Sequence, residues 1–183
     1  MRTFTLALCA AMTACAPLAV AEEGAKPPIG FANFCMRHAE ECQPAPVTAP
    51  VPMTPQRWSE LNQVNSFFNV TIRPADDIDN VGKVEWWAYA ANGAGDCEDY
   101  ALEKRRALIA LGWPASALLI TEARMLSGEG HAVLTVVTDK GDLILDNLSM
   151  VIVPAGKAPY RLISRQSRQH PLRWVKVEGG ARS

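Results

Sequence analysis

The 183 residues carry 18 Lys and Arg against 19 Asp and Glu, a formal net charge of −1, and 49% of them are apolar. That length and apolar content suit one globular domain with its own core. The near-even charge balance excludes the basic surface that a nucleic-acid partner requires.

Residues 1–21 read as a signal peptide rather than as part of the fold. Arg2 precedes an apolar run from Phe4 to Thr13, and Ala19-Val20-Ala21 forms a small-x-small cleavage site ahead of Glu22-Glu23. The run is too short for a permanent membrane anchor, so the mature chain is expected to be exported and to start at Glu22. A weaker alternative makes Cys15 a lipidated N-terminus, although Met12 stands where such sites usually carry Leu.

Export removes Cys9 and Cys15 and leaves Cys35, Cys42 and Cys97 in an oxidising compartment. Cys35 and Cys42 enclose only Met36-Arg37-His38-Ala39-Glu40-Glu41 and can close a small loop, leaving Cys97 unpaired. The alternative is a bridge from Cys97 to either of the others, with one thiol spare. Residues 22–53 are expected to form an N-terminal extended segment carrying the Cys35–Cys42 loop. Pro44, Pro46, Pro50, Pro52 and Pro55 mark its connector to a main domain over residues 54–183.

Thr54-Pro55 opens a helix as N-cap and first-turn proline, with Trp58, Leu61, Val64 or Asn65, and Phe68 at helical spacing and directed to the core. Val70 to Arg73 is expected as a short extended piece and Pro74 to Gly82 as a loop. Asp76, Asp77 and Asp79 lack the glycine and terminal glutamate of a calcium loop and read as a solvated acidic stretch. Val84 to Ala94 then brings Trp86-Trp87 before the flexible Asn92-Gly93-Ala94-Gly95. An indole here can line a substrate cleft or help stabilise an oxyanion, with core packing expected for at least one of the pair.

Gly95-Asp96-Cys97-Glu98-Asp99-Tyr100 opens the most clearly marked helix, which runs through Ala101, Leu102, Ala107, Leu108 and Leu111 and stops at Gly112 with Pro114 beyond. Asp96 is expected to cap it by accepting from the Asp99 N–H, and Glu98 and Asp99 suit the positive end of the dipole. Cys97, in the first turn, is a candidate nucleophile, because unpaired N–H groups stabilise a thiolate there. The carboxylates of Asp96, Glu98 and Asp99 oppose that charge, so either an imidazolium or a bound cation is needed among them. The alternative is that Cys97 is a small apolar residue on a buried helix face.

Ala117 to Arg124 and His131 to Thr138 read as strands separated by a loop, and Asp139-Lys140-Gly141-Asp142 turns the chain into a second arm, Leu143 to Asp146. With the turn centred between Asp139 and Lys140, Asp146 lies opposite Val133 and diagonal to His131, on one face of the hairpin. His131 is thereby the candidate general base for Cys97, and Asp146 the group that fixes its tautomer. Asn147, Tyr160 to Ile163 and Leu172 to Val177 are expected to continue the sheet, with Trp174 packed on it. His38 and His170 are given no role.

Gly95-Asp96-Cys97-Glu98-Asp99-Tyr100-Ala101, Gly130-His131-Ala132-Val133-Leu134 and Leu145-Asp146-Asn147 resemble the bacterial transglutaminase-like cysteine proteinases. The resemblance implies an α+β, papain-like/transglutaminase-like fold, with helices packed on an antiparallel sheet and the nucleophile at a helix N-terminus. It implies a periplasmic cysteine endopeptidase with Cys97 as nucleophile, His131 as base and Asp146 as orienter. In one branch of the family calcium is bound by acidic residues beside the cysteine, which implies Asp96, Glu98 and Asp99 here. That branch cuts large surface adhesins and is restrained by an inner-membrane cyclic-di-GMP receptor, which implies an adhesin-like protein substrate and such a partner; a monomer is expected. An amidase or acyltransferase with the same chemistry, and a non-catalytic binding module with the same fold, are the alternatives.

Overall fold

The computed structural model describes residues 24–180; the expected signal peptide, its cleavage near Ala21 and the Cys15 alternative lie outside them. In chain order the elements are β1 (Gly24–Ala25), α1 (Ile29–Arg37), α2 (Pro55–Thr71), β2 (Arg73–Pro74), α3 (Asp77–Val81), β3 (Ala94–Gly95) and α4 (Cys97–Ala110). They are followed by β4 (Leu118–Arg124), β5 (Gly130–Thr138), β6 (Gly141–Asp146), β7 (Ser149–Pro154), β8 (Arg161–Gln166) and β9 (Trp174–Gly180). Among the described residues no helix is long and apolar enough to cross a membrane.

Seven strands form one antiparallel sheet in the order β1-β9-β8-β4-β5-β6-β7. The two-residue turn at Asp139-Lys140 sets Thr138 against Gly141 and Leu134 against Leu145. One further step of that register puts Asp146 against Val133, as the sequence predicts. β7, absent from the sequence reading, adds an edge strand, and Asn147 lies in the turn before it rather than in the sheet.

α4 lies against β5 and α2 against α4 and β7, so the helices cover the sheet and enclose Leu61, Leu102, Leu108, Leu118, Ile120, Leu134, Val136 and Leu145. α2 starts as predicted, with the Thr54 hydroxyl accepting from the Arg57 N–H at 3.1 Å. It runs further than predicted, taking in Val70 and Thr71. The residues expected in the core do not share one fate: Leu61, Val64 and Asn65 are buried and Phe68 is half-buried against the core, whereas Trp58 is 45% exposed. α4 ends as expected, with Gly112 in the left-handed region at φ +83.

The N-terminal segment departs from the extended form. Residues 29–37 are helical, followed by a short 3-10 turn at Ala39–Cys42, and the Cys35–Cys42 disulfide staples the two. The reason is aromatic burial: Phe31 packs on Trp87 and Trp174 with ring centroids 5.7 Å apart in each pair, and Phe34 packs on Tyr89 at 5.5 Å. Each such ring, fully buried, stabilises by roughly 1.5–3 kcal/mol, which outweighs the lack of a side-chain cap at Pro28.

Candidate active site

The beginning of α4 is fixed by a two-residue parallel ladder. Arg73 pairs with Ala94 and Pro74 with Gly95, bringing the chain before α3 beside the Cys97 turn. Gly95 is needed there because a Cβ would stand 2.5 Å from Asp99 Oδ2. Asp96 occupies the N-cap position, but its carboxylate does not cap α4 and accepts the Asp77 backbone N–H. Asp99 instead folds back across the turn and accepts the Ala88 N–H at 2.8 Å and the Asp96 backbone N–H.

Cys97 is free, as the pairing of Cys35 with Cys42 requires. It lines a cleft of about 780 Å³ together with Trp87, Asp96, Glu98, Glu122 and His131. Its thiol donates to Glu98 Oε2 at 3.1 Å. Burial raises the thiol far above its ordinary value, and the charge and hydrogen bond of Glu98 add to the rise; an N–H from Ala132, the residue after His131, works in the opposite direction.

His131, at the start of β5, is held by Asp146 at the end of β6, with Nε2 to Oδ1 at 2.9 Å. Asp146 Oδ1 also accepts the Leu148 N–H at 3.0 Å, and Oδ2 accepts the Tyr160 hydroxyl at 2.8 Å. Burial alone would raise the Asp146 carboxyl, but the bonds and charge from His131, with Leu148 and Tyr160, hold it below the usual carboxylate range. Ionised, it only accepts, so Nε2 carries the proton and Nδ1 is left as the basic nitrogen. The Tyr160 ring meets the imidazole edge-on at 5.3 Å, and burial keeps its hydroxyl protonated as a donor.

Glu85, at φ +52 in the left-handed region, precedes two indoles of different fate. Trp87 is buried, lines the Cys97 cleft and points Nε1 toward Glu85 Oε2 at 3.4 Å. Trp86 lies outside the residues lining that cleft, between the cations of Arg37 and Lys83 at 3.6 and 3.2 Å from its ring centre. Of the pair, Trp87 thus lines the cleft and Trp86 does not.

The predicted set Asp96, Glu98 and Asp99 resolves into two overlapping clusters: Asp96, Cys97 and Glu98, and Asp77, Asp96 and Asp99, each with ligand atoms within 4.8 Å of one another. Asp77, expected in a solvated loop, is instead buried in the first turn of α3 and accepts the Trp86 N–H. Burial pushes the Glu98 carboxyl up to about 9, with Asp96 adding to the rise. Burial likewise pushes Asp99 up to about 8, with Asp96 and Asp77 adding to it. Asp96 is raised too, and its Oδ1 is a buried acceptor with no hydrogen-bond partner among the described residues. The second cluster, three carboxylates with one acceptor left over, suits a hard divalent cation such as calcium.

The sequence pattern of the bacterial transglutaminase-like cysteine proteinases matches residues 21–182. Among solved structures, calcium-bound LapG of Legionella pneumophila is similar with a TM-score of 0.54 and 28% identity, over 67% of this chain and 72% of that one. EGTA-treated LapG of the same organism gives 0.54 and 27%, over 68% and 72%. A further LapG structure from it gives 0.55 and 29%, over 66% and 69%. No curated protein sequence matches the chain.

Proposed function

Because the chain belongs to the bacterial transglutaminase-like cysteine proteinases, we propose that it is a periplasmic endopeptidase with Cys97, His131 and Asp146 as its catalytic triad. The observation that carries this reading is His131, held by Asp146 at 2.9 Å, lining the same cleft as Cys97. His131 Nδ1 takes the thiol proton, Cys97 Sγ attacks the peptide carbonyl, and the proton passes to the leaving amine as the C–N bond breaks. The Cys97 N–H, one of the first-turn donors that a helix leaves unpaired, faces the developing oxyanion. Water then hydrolyses the acyl-enzyme.

Asp77, Asp96 and Asp99, with Glu98 at the edge, are the residues that would hold calcium. Bound there, the ion supplies the positive charge that a thiolate among carboxylates needs. The calcium-bound LapG structure supports this by analogy. The proposed substrate is an exported or surface protein such as a large adhesin, and the proposed restraining partner an inner-membrane cyclic-di-GMP receptor, both following from the family resemblance.

The test compares proteins released from the surface of cells carrying wild-type protein, Cys97→Ala or no gene. Fragments present with wild type and absent with Cys97→Ala are expected. Identical patterns in all three would remove the protease reading, and incorporation of a supplied amine donor would redirect it to acyl transfer.

A further inference from the structure

Gly30, the second residue of α1, is buried and its φ is not positive, so the position uses the missing Cβ rather than backbone freedom. Glycine inside a helix otherwise costs stability relative to alanine. A Cβ added there would stand 2.5 Å from Trp87 Nε1, closer still to its Cδ1, and 2.9 Å from the Glu85 carbonyl oxygen. The pyrrole edge of the indole therefore lies directly on the α1 backbone. Both residues so met line the Cys97 cleft, as does Pro28 at the head of α1.

The segment that carries them is held from two sides. From α1, Phe31 meets the Trp87 ring edge-on at 5.7 Å, and Arg37 donates from Nη2 to the Trp87 carbonyl at 2.5 Å. The Cys35–Cys42 bridge fixes the far end of the same helix. From the other side, Asp77 accepts the Trp86 N–H and Asp99 the Ala88 N–H. Glu85, at φ +52, keeps a conformation that a residue with a Cβ holds only where its surroundings over-determine it. Burial of α1 does not require this arrangement, because Phe31 and Phe34 already supply it. What the pairing of Gly30 with Trp87 adds is a fixed, flat wall in the cleft that holds the thiol.

We propose that Gly30 is a positioning residue: by letting α1 close onto the Trp87 indole and the Glu85 carbonyl, it fixes these two residues as a wall of the Cys97 cleft and sets how a peptide chain seats between that wall and the Glu122 and His131 side. The inference rests on the protease reading above.

The test measures alkylation of Cys97 in the full chain, with calcium present, by two reagents of one chemistry: iodoacetamide and the much larger iodoacetamidofluorescein. Mass spectrometry reads both, and the ratio of the large reagent's rate to the small one's cancels the reactivity of the thiol and reports the room beside it. Gly30→Ala is expected to lower that ratio about tenfold, because the new methyl drives the indole off α1 and into the cleft. Phe34→Leu, which loosens α1 where it packs on Tyr89, is expected to lower the melting temperature and leave the ratio in place. An unchanged or raised ratio in Gly30→Ala makes Gly30 a packing residue only and overturns the proposal. A ratio lowered equally by Phe34→Leu also overturns it, since any loosening of α1 would then have the same effect. If Gly30→Ala does not fold, Gly30→Ala/Trp87→Val is expected to fold, because the indole edge is gone, and to raise the ratio above wild type; failure on either point overturns the proposal. No readout here requires a peptide to be cut, so an absence of released fragments in the surface test removes the protease reading without being mistaken for a failure of the wall.

Discussion

Cys97 donates its thiol proton to the side chain of the very next residue, Glu98, at 3.1 Å. A nucleophile so placed is restrained by its own helix turn, because burial and the neighbouring carboxylate both favour the protonated sulfur. A cation held among Asp77, Asp96, Glu98 and Asp99 would lift that restraint by supplying the opposite charge.

Calcium is therefore expected to accelerate alkylation of Cys97 by iodoacetamide about tenfold or more over protein kept in chelator. Mass spectrometry reads the modified site directly, since Cys35 and Cys42 are bridged. Equal rates in calcium and chelator would count against a bound ion.

Calcium affinity is expected to rise with pH. Asp99 and Glu98 are pushed up to about 8 and about 9 by burial, and both must lose a proton to bind the ion. Affinity measured by calorimetry should climb between pH 6.5 and 9, with proton release at the lower pH. A flat profile would place the ion elsewhere.

Asp146→Asn should lower kcat by roughly a thousandfold or more while the fold persists, since the imidazole loses the acceptor that fixes its tautomer. The same change alters acid stability. Asp146 titrates below its unfolded value, so its contribution is present above that value and is lost as pH falls through the folded one. Acid unfolding of wild type and Asp146→Asn should accordingly converge below about pH 4.

Tyr160→Phe should cost about 1–3 kcal/mol in chemical denaturation, because it strips a hydrogen bond from one oxygen of a buried carboxylate. A loss near zero would mean that Oδ2 has another donor.

Gly95→Ala should destabilise by about 1–3 kcal/mol and weaken calcium binding, since the new methyl meets Asp99. Gly156→Ala, where a Cβ meets nothing within 4 Å, serves as the control. Equal melting temperatures for the two would show that the first turn of α4 can shift.

The hairpin and α4 are legible in the sequence because their signals are local: a two-residue turn between apolar strand-forming runs, and a helix bounded by Asp96 and Gly112. Parity alone then puts His131 and Asp146 on one face. Asp77 is not legible, because its burial depends on the pairing of Arg73 and Pro74 with residues some twenty positions later. Nor does sequence separate Trp86 from Trp87; α1, itself unsigned by any cap, covers the second and leaves the first between two cations. The reversal at Asp96 and Asp99 has the same origin, since the Ala88 N–H that captures Asp99 arrives from outside the helix.

The turn at Asp139-Lys140 acts as a vernier for the whole molecule. A one-residue slip in the pairing of β6 against β5 would reverse the side of the sheet to which every side chain of β6 projects, and Asp146 would swing away from its imidazole while the strands still paired. A two-residue slip would only slide it along. The register that holds Asp146 is thus set at this distant, exposed bend, although neither of its residues lines the cleft.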